Sequence, residues 1–363
     1  VSSETKVQTE KVNPPKIHPK NITRLKILGV LLTVLGVGLF GYFIYSVGVT
    51  EIMTGVAKIG FDGFAIIILL YFLRILARAT AWKLSVYEPF KLELKDTISA
   101  VVIGEAMSSL IPLGILISGT SKAVAVRHRV PLVVGLSSIA TENLFYSFVT
   151  SLFLILGAFS FLRTFELAAG WIITIDILIG AIVAVLIFLA LMIIRQWHFA
   201  SQFCEWLYNR GIAKGILEDG RLHVRLFENF IYGFYRRYPR RFLPIFLFQI
   251  AFHLLGILEV WFVLSKISAG FQSLFTAFLL ESVSRLITIV FKLVPFVIGV
   301  DEAGAQFVTE TLAVGAGIGV TLAIIRKGRI LFWTAVGLLL IVKRGLSFSE
   351  ISKIGKEQDT TKA

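Results

Sequence analysis

Arginine and glutamate recur inside apolar runs of this chain, where a charge is costly. Arg74 and Arg78 stand four residues apart, on one face of a helix, with Trp82 a turn further on. Their planar donor forks suit a lipid phosphate. Long basic side chains near a helix end also snorkel to water, and the sequence accommodates either reading. Glu105 is placed to act as a proton or cation site, or to partner an arginine such as Arg78. Pro112, Gly114, Ser118, Gly119, Thr120, Ser121 and Lys122 read as an unwound turn or a plain loop. If unwound, its free amides and the Lys122 ammonium could hold an anion. Glu142, beside Asn143, is expected to find Arg127 or Arg129. Glu281 and Arg285 are spaced to pair along one helix face. Asp301 and Glu302 are suited to the start of a new helix, where acids favour the N-terminus. Arg326, Lys327 and Arg329 read as a cytoplasmic turn.

Two of these sets lie in segments broken alike. Thr97 to Gly119 carries Glu105, Ser108 and Ser109 before Pro112 and Gly114. Phe278 to Gly304 carries Glu281, Ser284, Arg285 and Lys292 before Pro295 and Gly299. Proline removes a backbone donor and disfavours helix in the residue before it. Hydrocarbon cannot solvate a freed carbonyl or an ion, so such segments belong beside protein or a watery cavity. A Pro/Gly-broken pair at corresponding places in two halves points to a transporter-type site. We expect Pro112 and Pro295 to face one cavity lined by Arg78, Lys122, Arg285 and Lys292, with Glu105 and Glu281 orienting them. A charge inside the bilayer costs at least about 2.5–3.5 kcal/mol. Two acids cannot neutralise four cations, which leaves room for a phosphate-bearing ligand. The alternative is that Lys122 and Lys292 snorkel to water and the others pair internally.

The sequence holds no Walker A loop, no zinc-site spacing of histidine with cysteine or glutamate, and no Gly-x-Ser-x-Gly elbow. No cofactor, metal or catalytic residue is therefore expected. Gly315, Gly317 and Gly319 imitate part of a dinucleotide fingerprint, but they sit in an apolar run and suit close helix packing. The single cysteine, Cys204, excludes an internal disulfide.

The elements that must position these residues are membrane helices. Hydrophobic residues make up 56% of the 363 and charged residues only 16%, against about a quarter in a soluble protein. Ile27 to Val47, Phe64 to Trp82, Asn143 to Leu162, Trp171 to Ile194 and Phe242 to Leu258 are apolar runs of near-spanning or spanning length. Thr311 to Ile325 and Ile330 to Val342 are shorter and read as tilted half-helices or a hairpin. About eight spans are expected, in an all-α bundle running from residue 27 to 346. It is flanked by a disordered basic tail over 1–26 and a short polar tail over 347–363. The first apolar run reads as an anchor rather than a cleavable signal. The net charge of +13 gathers between spans, which argues for the positive-inside bias and against nucleic acid. Both the N-terminal tail and the connector Arg195–Arg241 are basic, so both are expected on the cytoplasmic side. The connector holds two amphipathic stretches, around Trp197–Leu207 and Leu222–Phe234, suited to the headgroup level or to packing as a hairpin. Its Arg236, Arg237, Arg240 and Arg241 run chiefly signals orientation, with anionic-lipid binding a lesser role. Sliding the front half, 27–194, by 180 residues onto the back half, 242–346, gives a weak echo. Gly119, Ala123, Thr141 and Gly157 fall on Gly299, Ala303, Thr321 and Gly337.

Several motifs together resemble one family. They are Arg78-x-x-x-Trp82, Pro112-x-Gly114 leading to Gly119-Thr-Ser-Lys122, and Thr141-Glu142-Asn143. Pro295-Phe-Val-Ile-Gly299-Val-Asp-Glu302-Ala-Gly304 and Arg326-Lys-Gly-Arg329 complete the set. Over Leu25 to Leu346 the chain resembles the transmembrane region of lysylphosphatidylglycerol synthases. The resemblance implies a polytopic bundle with broken helices around a headgroup cavity, moving polar lipids between leaflets of the cell membrane. It also implies cavity roles for Pro112, Glu142, Pro295, Gly299 and Glu302. Full-length synthases add a soluble aminoacyl-transferase domain after the membrane part, where this sequence has Ser347 to Ala363, so that activity is not carried over. The family often has arginine beside the residue matching Glu142, and here it is Asn143. The expected partner is thus a polar or anionic lipid, handled without ATP. A membrane enzyme acting on a lipid phosphate and a non-transporting scaffold are the competing readings.

Overall fold

The computed structural model describes residue 45 and residues 49–110, 114–165, 169–210, 214–268, 273–290, 300–312, 314, 315 and 317–343. The two tails, most of the Ile27–Val47 run, and Pro112, Lys292, Pro295 and Gly299 lie outside the described residues. The described chain is helical, with no strand among these residues. In order come α1 (Val49–Leu84), α2 (Leu94–Leu110), α3 (Gly114–Ala125), α4 (Leu132–Thr164), α5 (Ala169–Ile194), α6 (Phe199–Asn209) and α7 (Lys214–Arg237). A 3-10 turn, Pro239–Arg241, leads into α8 (Phe242–Ile267), followed by α9 (Leu274–Val290), α10 (Val300–Thr311) and α11 (Ile318–Lys343). Among the described residues, Ile52–Leu84, Leu132–Thr164 and Pro239–Ile267 are long and apolar enough to cross a membrane.

Local chemistry sets the boundaries. Gly60 adopts φ 65°, a left-handed conformation open to glycine, and breaks α1 into two helical runs. Pro131, fixed at φ −54°, starts α4 where no helical donor is needed. Two expectations are corrected here. Gly114 to Lys122 is not an unwound turn; it is the body of α3, with Ser121 and Lys122 buried. Beyond its first turn the backbone amides make helix bonds, so they are unavailable to hold an anion. Likewise Arg326, Lys327 and Arg329 form no turn. They lie within the continuous α11, and Arg326 and Arg329 are buried. Carboxylates on neighbouring helices supply what the sequence reading looked for in water.

In lipid, helices gain little by hiding apolar surface from one another, so close approach at small residues does more of the packing. A Cβ on Gly319 would meet the Ala305 carbonyl carbon at 2.4 Å, so α11 lies directly on the α10 backbone. The glycines near Gly315 thus serve packing and, at Gly315 (φ 135°) and Gly317 (φ 75°), the turn between α10 and α11. Gly157 on α4 abuts Ser282 on α9, and Gly337 on α11 abuts Val102 and Ala106 on α2. Larger side chains fill the remainder. Trp82, Ile103, Met107 and Val126 bind α1, α2 and the end of α3 together, while Ile67, Val260, Leu264, Leu280 and Leu322 join α1, α8, α9 and α11.

The connector's two amphipathic stretches are helices as expected, α6 and α7, and they pack on each other as a hairpin, the second of the two arrangements the sequence allowed. The hairpin is closed by a buried bond from Ser201 Oγ to Glu228 (2.7 Å). The far end of α7 seats on α4, with Phe234 and Tyr235 against Phe145.

Candidate functional site

The charged residues inside the bundle converge on one face of α1. Arg74, 3% exposed, sends Nη1 to Glu259 on α8 at 3.1 Å and Nη2 toward Glu281 on α9 at 3.6 Å. Glu281 also accepts from Arg285 on its own helix (2.5 Å) and from Arg326 on α11 (2.5 Å). Arg329, a turn beyond Arg326, pairs with Glu259. Gly256 makes space for this network: a Cβ there would lie 2.8 Å from a Glu281 oxygen and 3.3 Å from the Arg74 guanidinium.

One turn along α1, Arg78 donates to Glu142 (3.3 Å) and to the Asn143 amide oxygen (3.1 Å) on α4. Gln249 on α8 donates to the same Glu142 oxygen at 2.8 Å. Glu105 on α2 accepts from the Tyr71 hydroxyl at 3.0 Å, and the Arg329 guanidinium stacks 4.1 Å from the Tyr71 ring centroid. Aromatic faces cover two more guanidiniums: Arg74 lies 4.5 Å from Phe252 and Arg78 4.5 Å from Tyr146. Such contacts offset part of the cost of taking a cation from water.

Five arginines thus meet four carboxylates, leaving one positive charge in excess among the described residues. Their access differs. The side chains of Arg74, Arg326 and Arg329 are 4%, 10% and 9% exposed, whereas Arg78 and Arg285 keep 17% and 18%. Arg78 and Arg285 are therefore the most exposed side chains of the five.

The expected site residues fall as follows. Arg78, Glu142, Glu281 and Arg285 sit in the network, and Glu105 joins it through Tyr71. The Glu281–Arg285 pair forms as its spacing suggested. Glu142 does not use Arg127 or Arg129; Arg129 instead pairs with Glu93 and Asp96 near the start of α2. Asn143 accepts from Arg78 where an arginine would have repelled it. Arg74 does not snorkel. Lys122 is buried with its stem against Gly104 of α2, and Glu302 pairs with Lys327 at 2.6 Å.

Sequence reading missed Glu259, Gln249 and Tyr71, and misassigned Arg326 and Arg329. A signal for Glu259 was present. It follows the apolar run ending at Leu258, and apolar residues resume at Val260, so the helix continues through it.

Fold and site together define a polytopic helical integral membrane protein with a buried arginine–glutamate network. The chain belongs to the lysylphosphatidylglycerol synthase transmembrane-region family, whose profile, "Lysylphosphatidylglycerol synthase TM region", matches residues 26–337. Membership relates the protein to lipid handling. No curated protein and no solved structure matches the chain.

Proposed function

We propose that this protein binds a polar or anionic lipid, a phospholipid or a lipid-linked carrier, and moves it between leaflets without ATP hydrolysis. The observation that carries this reading is the arginine excess of the network, with Arg78 and Arg285 its most exposed arginines. A phosphate-bearing headgroup supplies the missing negative charge and suits their donor forks. Family membership supports a lipid as the ligand. In this reading the protein sits in the cell membrane with its N-terminus and connector on the cytoplasmic side.

The test is lipid transfer in reconstituted vesicles, with folding followed by thermal melting. Arg78→Gln and Arg285→Gln should each lower the transfer rate of an anionic lipid about tenfold or more, in line with loss of a charge-assisted hydrogen bond. If folded variants at Arg78, Lys122 and Arg285 all transfer lipid at the parent rate, the site is not there. Mass spectrometry of the recovered lipid belongs in the same experiment, because a chemically altered headgroup would favour the membrane-enzyme reading.

A further inference from the structure

A second basic site lies outside the bundle interior. Where the connector meets the end of α1, a cavity of about 510 Å³ is lined by Tyr87, Gln196, His198, Tyr232, Arg236 and Arg237, with Asn229 and Gly233 completing its wall. That volume falls within the range of about 300–1,000 Å³ that holds small ligands and headgroups.

Three features mark it as built rather than accidental. First, Arg236 and Arg237 are adjacent, exposed and without a salt bridge among the described residues. Arg237 only donates to the Tyr87 hydroxyl at 3.4 Å and lies 5.9 Å from that ring. Two like charges at one void repel each other unless an anion enters. Second, Gln196 holds φ 50°, a left-handed conformation that costs a non-glycine residue about 1–3 kcal/mol. Third, the wall is pinned from behind. Glu228, buried, holds Ser201 Oγ at 2.7 Å and His198 Nδ1 at 3.3 Å, and Tyr232 donates to the Trp197 carbonyl at 2.5 Å. Burial, and then the Glu228 charge, push the Tyr232 hydroxyl above its ordinary pKa.

The surroundings suit the membrane surface. Trp197, Phe203 and Trp206 on the same hairpin are 45–50% exposed, the composition of a surface resting among lipid headgroups. A Cβ at Gly233 would meet the Tyr87 ring at 3.6 Å, an ordinary contact, so a larger side chain can be placed there.

We propose that this connector cavity is a binding site for a phosphate-bearing anion, from an anionic phospholipid headgroup or from a soluble phosphate monoester. It is distinct from the arginine–glutamate network and does not depend on lipid crossing the bundle.

The experiment is native mass spectrometry of the full chain in neutral detergent, titrated separately with short-chain phosphatidic acid and with glycerol 1-phosphate. Arg236→Gln/Arg237→Gln removes the charges, and Gly233→Leu pushes a side chain into the cavity while keeping them. Each should weaken binding about tenfold or more, the scale of one or more charge-assisted hydrogen bonds. The control, Arg210→Gln/Arg240→Gln, removes the same charge from exposed positions outside the cavity lining and should change binding less than about twofold, as expected of rim charges. Binding of both probes assigns the site to the phosphate group itself, and binding of the lipid alone assigns it to the membrane. If neither probe binds, the proposal fails. It fails too if the control weakens binding as much as the cavity variants do, because surface potential then explains everything. Should Gly233→Leu not fold, the two arginine pairs still decide between these outcomes.

Discussion

At the residue scale, Glu281 is the position on which most depends. Its two oxygens face Arg74, Arg285 and Arg326, from three helices. Removing one partner of a buried pair costs about 3–5 kcal/mol, because the other charge is stranded. Glu281→Gln would strand two at once, Arg285 and Arg326, while Arg74 keeps Glu259. We expect it to lower stability in detergent by at least that amount, read as a fall in melting temperature. Arg326→Gln added to it should restore part of the loss, since one stranded cation disappears. A Glu281→Gln melt indistinguishable from the parent would show that the network is not an energetic unit. Glu105→Gln should be milder, because the Tyr71 hydroxyl can donate to an amide oxygen as it does to a carboxylate.

At the element scale, glycines decide how near the helices come. Gly319→Ala would set a methyl group 2.4 Å from the Ala305 backbone, and α10 and α11 would have to part. Overpacking of this kind costs about 1–3 kcal/mol. Gly180 on α5 meets nothing within 4 Å, so Gly180→Ala should be stabilising by up to about 1 kcal/mol through helix propensity alone. Thermal melts of the two variants should move in opposite directions; a shared direction would mean that packing at Gly319 is not limiting. Much at this scale was legible in the chain. The connector's helical periodicity appeared as α6 and α7, and the apolar runs fell on α1, α4, α5 and α8. What sequence reading handled poorly was charge inside a helix. Arg326 and Arg329 looked like a turn, and Glu259 like the end of a span, because hydropathy treats every ion as seeking water. The structure supplies opposite charges on facing helices, and nothing local to Arg329 announces a glutamate 70 residues earlier.

At the scale of the whole molecule, the weak 180-residue echo acquires a physical form. A long helix, one of 17 residues, one of 12 and another long helix occur as α1 to α4, and recur as α8 to α11. α2 starts at Leu94 and α9 at Leu274, the same displacement. Contacts repeat as well. Gly157 on Ser282 is answered by Gly337 on Val102, and a shift of 180 carries Gly157 to Gly337 and Val102 to Ser282. Helices α2 and α11 pack together as α9 and α4 do, and α1 meets α8 across the middle. The echo was faint in sequence because helix packing constrains size at a few points, leaving most positions free to vary among apolar residues. With the repeats placed in this way, the basic connector lies between them, and from the positive-inside bias we expect it on the same, cytoplasmic side as the basic N-terminal tail. Cysteines introduced at Lys16 and Gly220 should resist a membrane-impermeant thiol reagent added to intact cells. Labelling at either position would reverse the orientation.

The pairing of Arg74 with Glu259 spans 185 residues of chain. At a synthesis rate of about 5–20 residues per second, α1 is made roughly 10–40 s before its counter-ion exists. A newborn chain therefore carries Arg74 without this counter-ion until α8 has left the ribosome, and the uncompensated charge in α1 is neutralised by a helix from the other half of the protein.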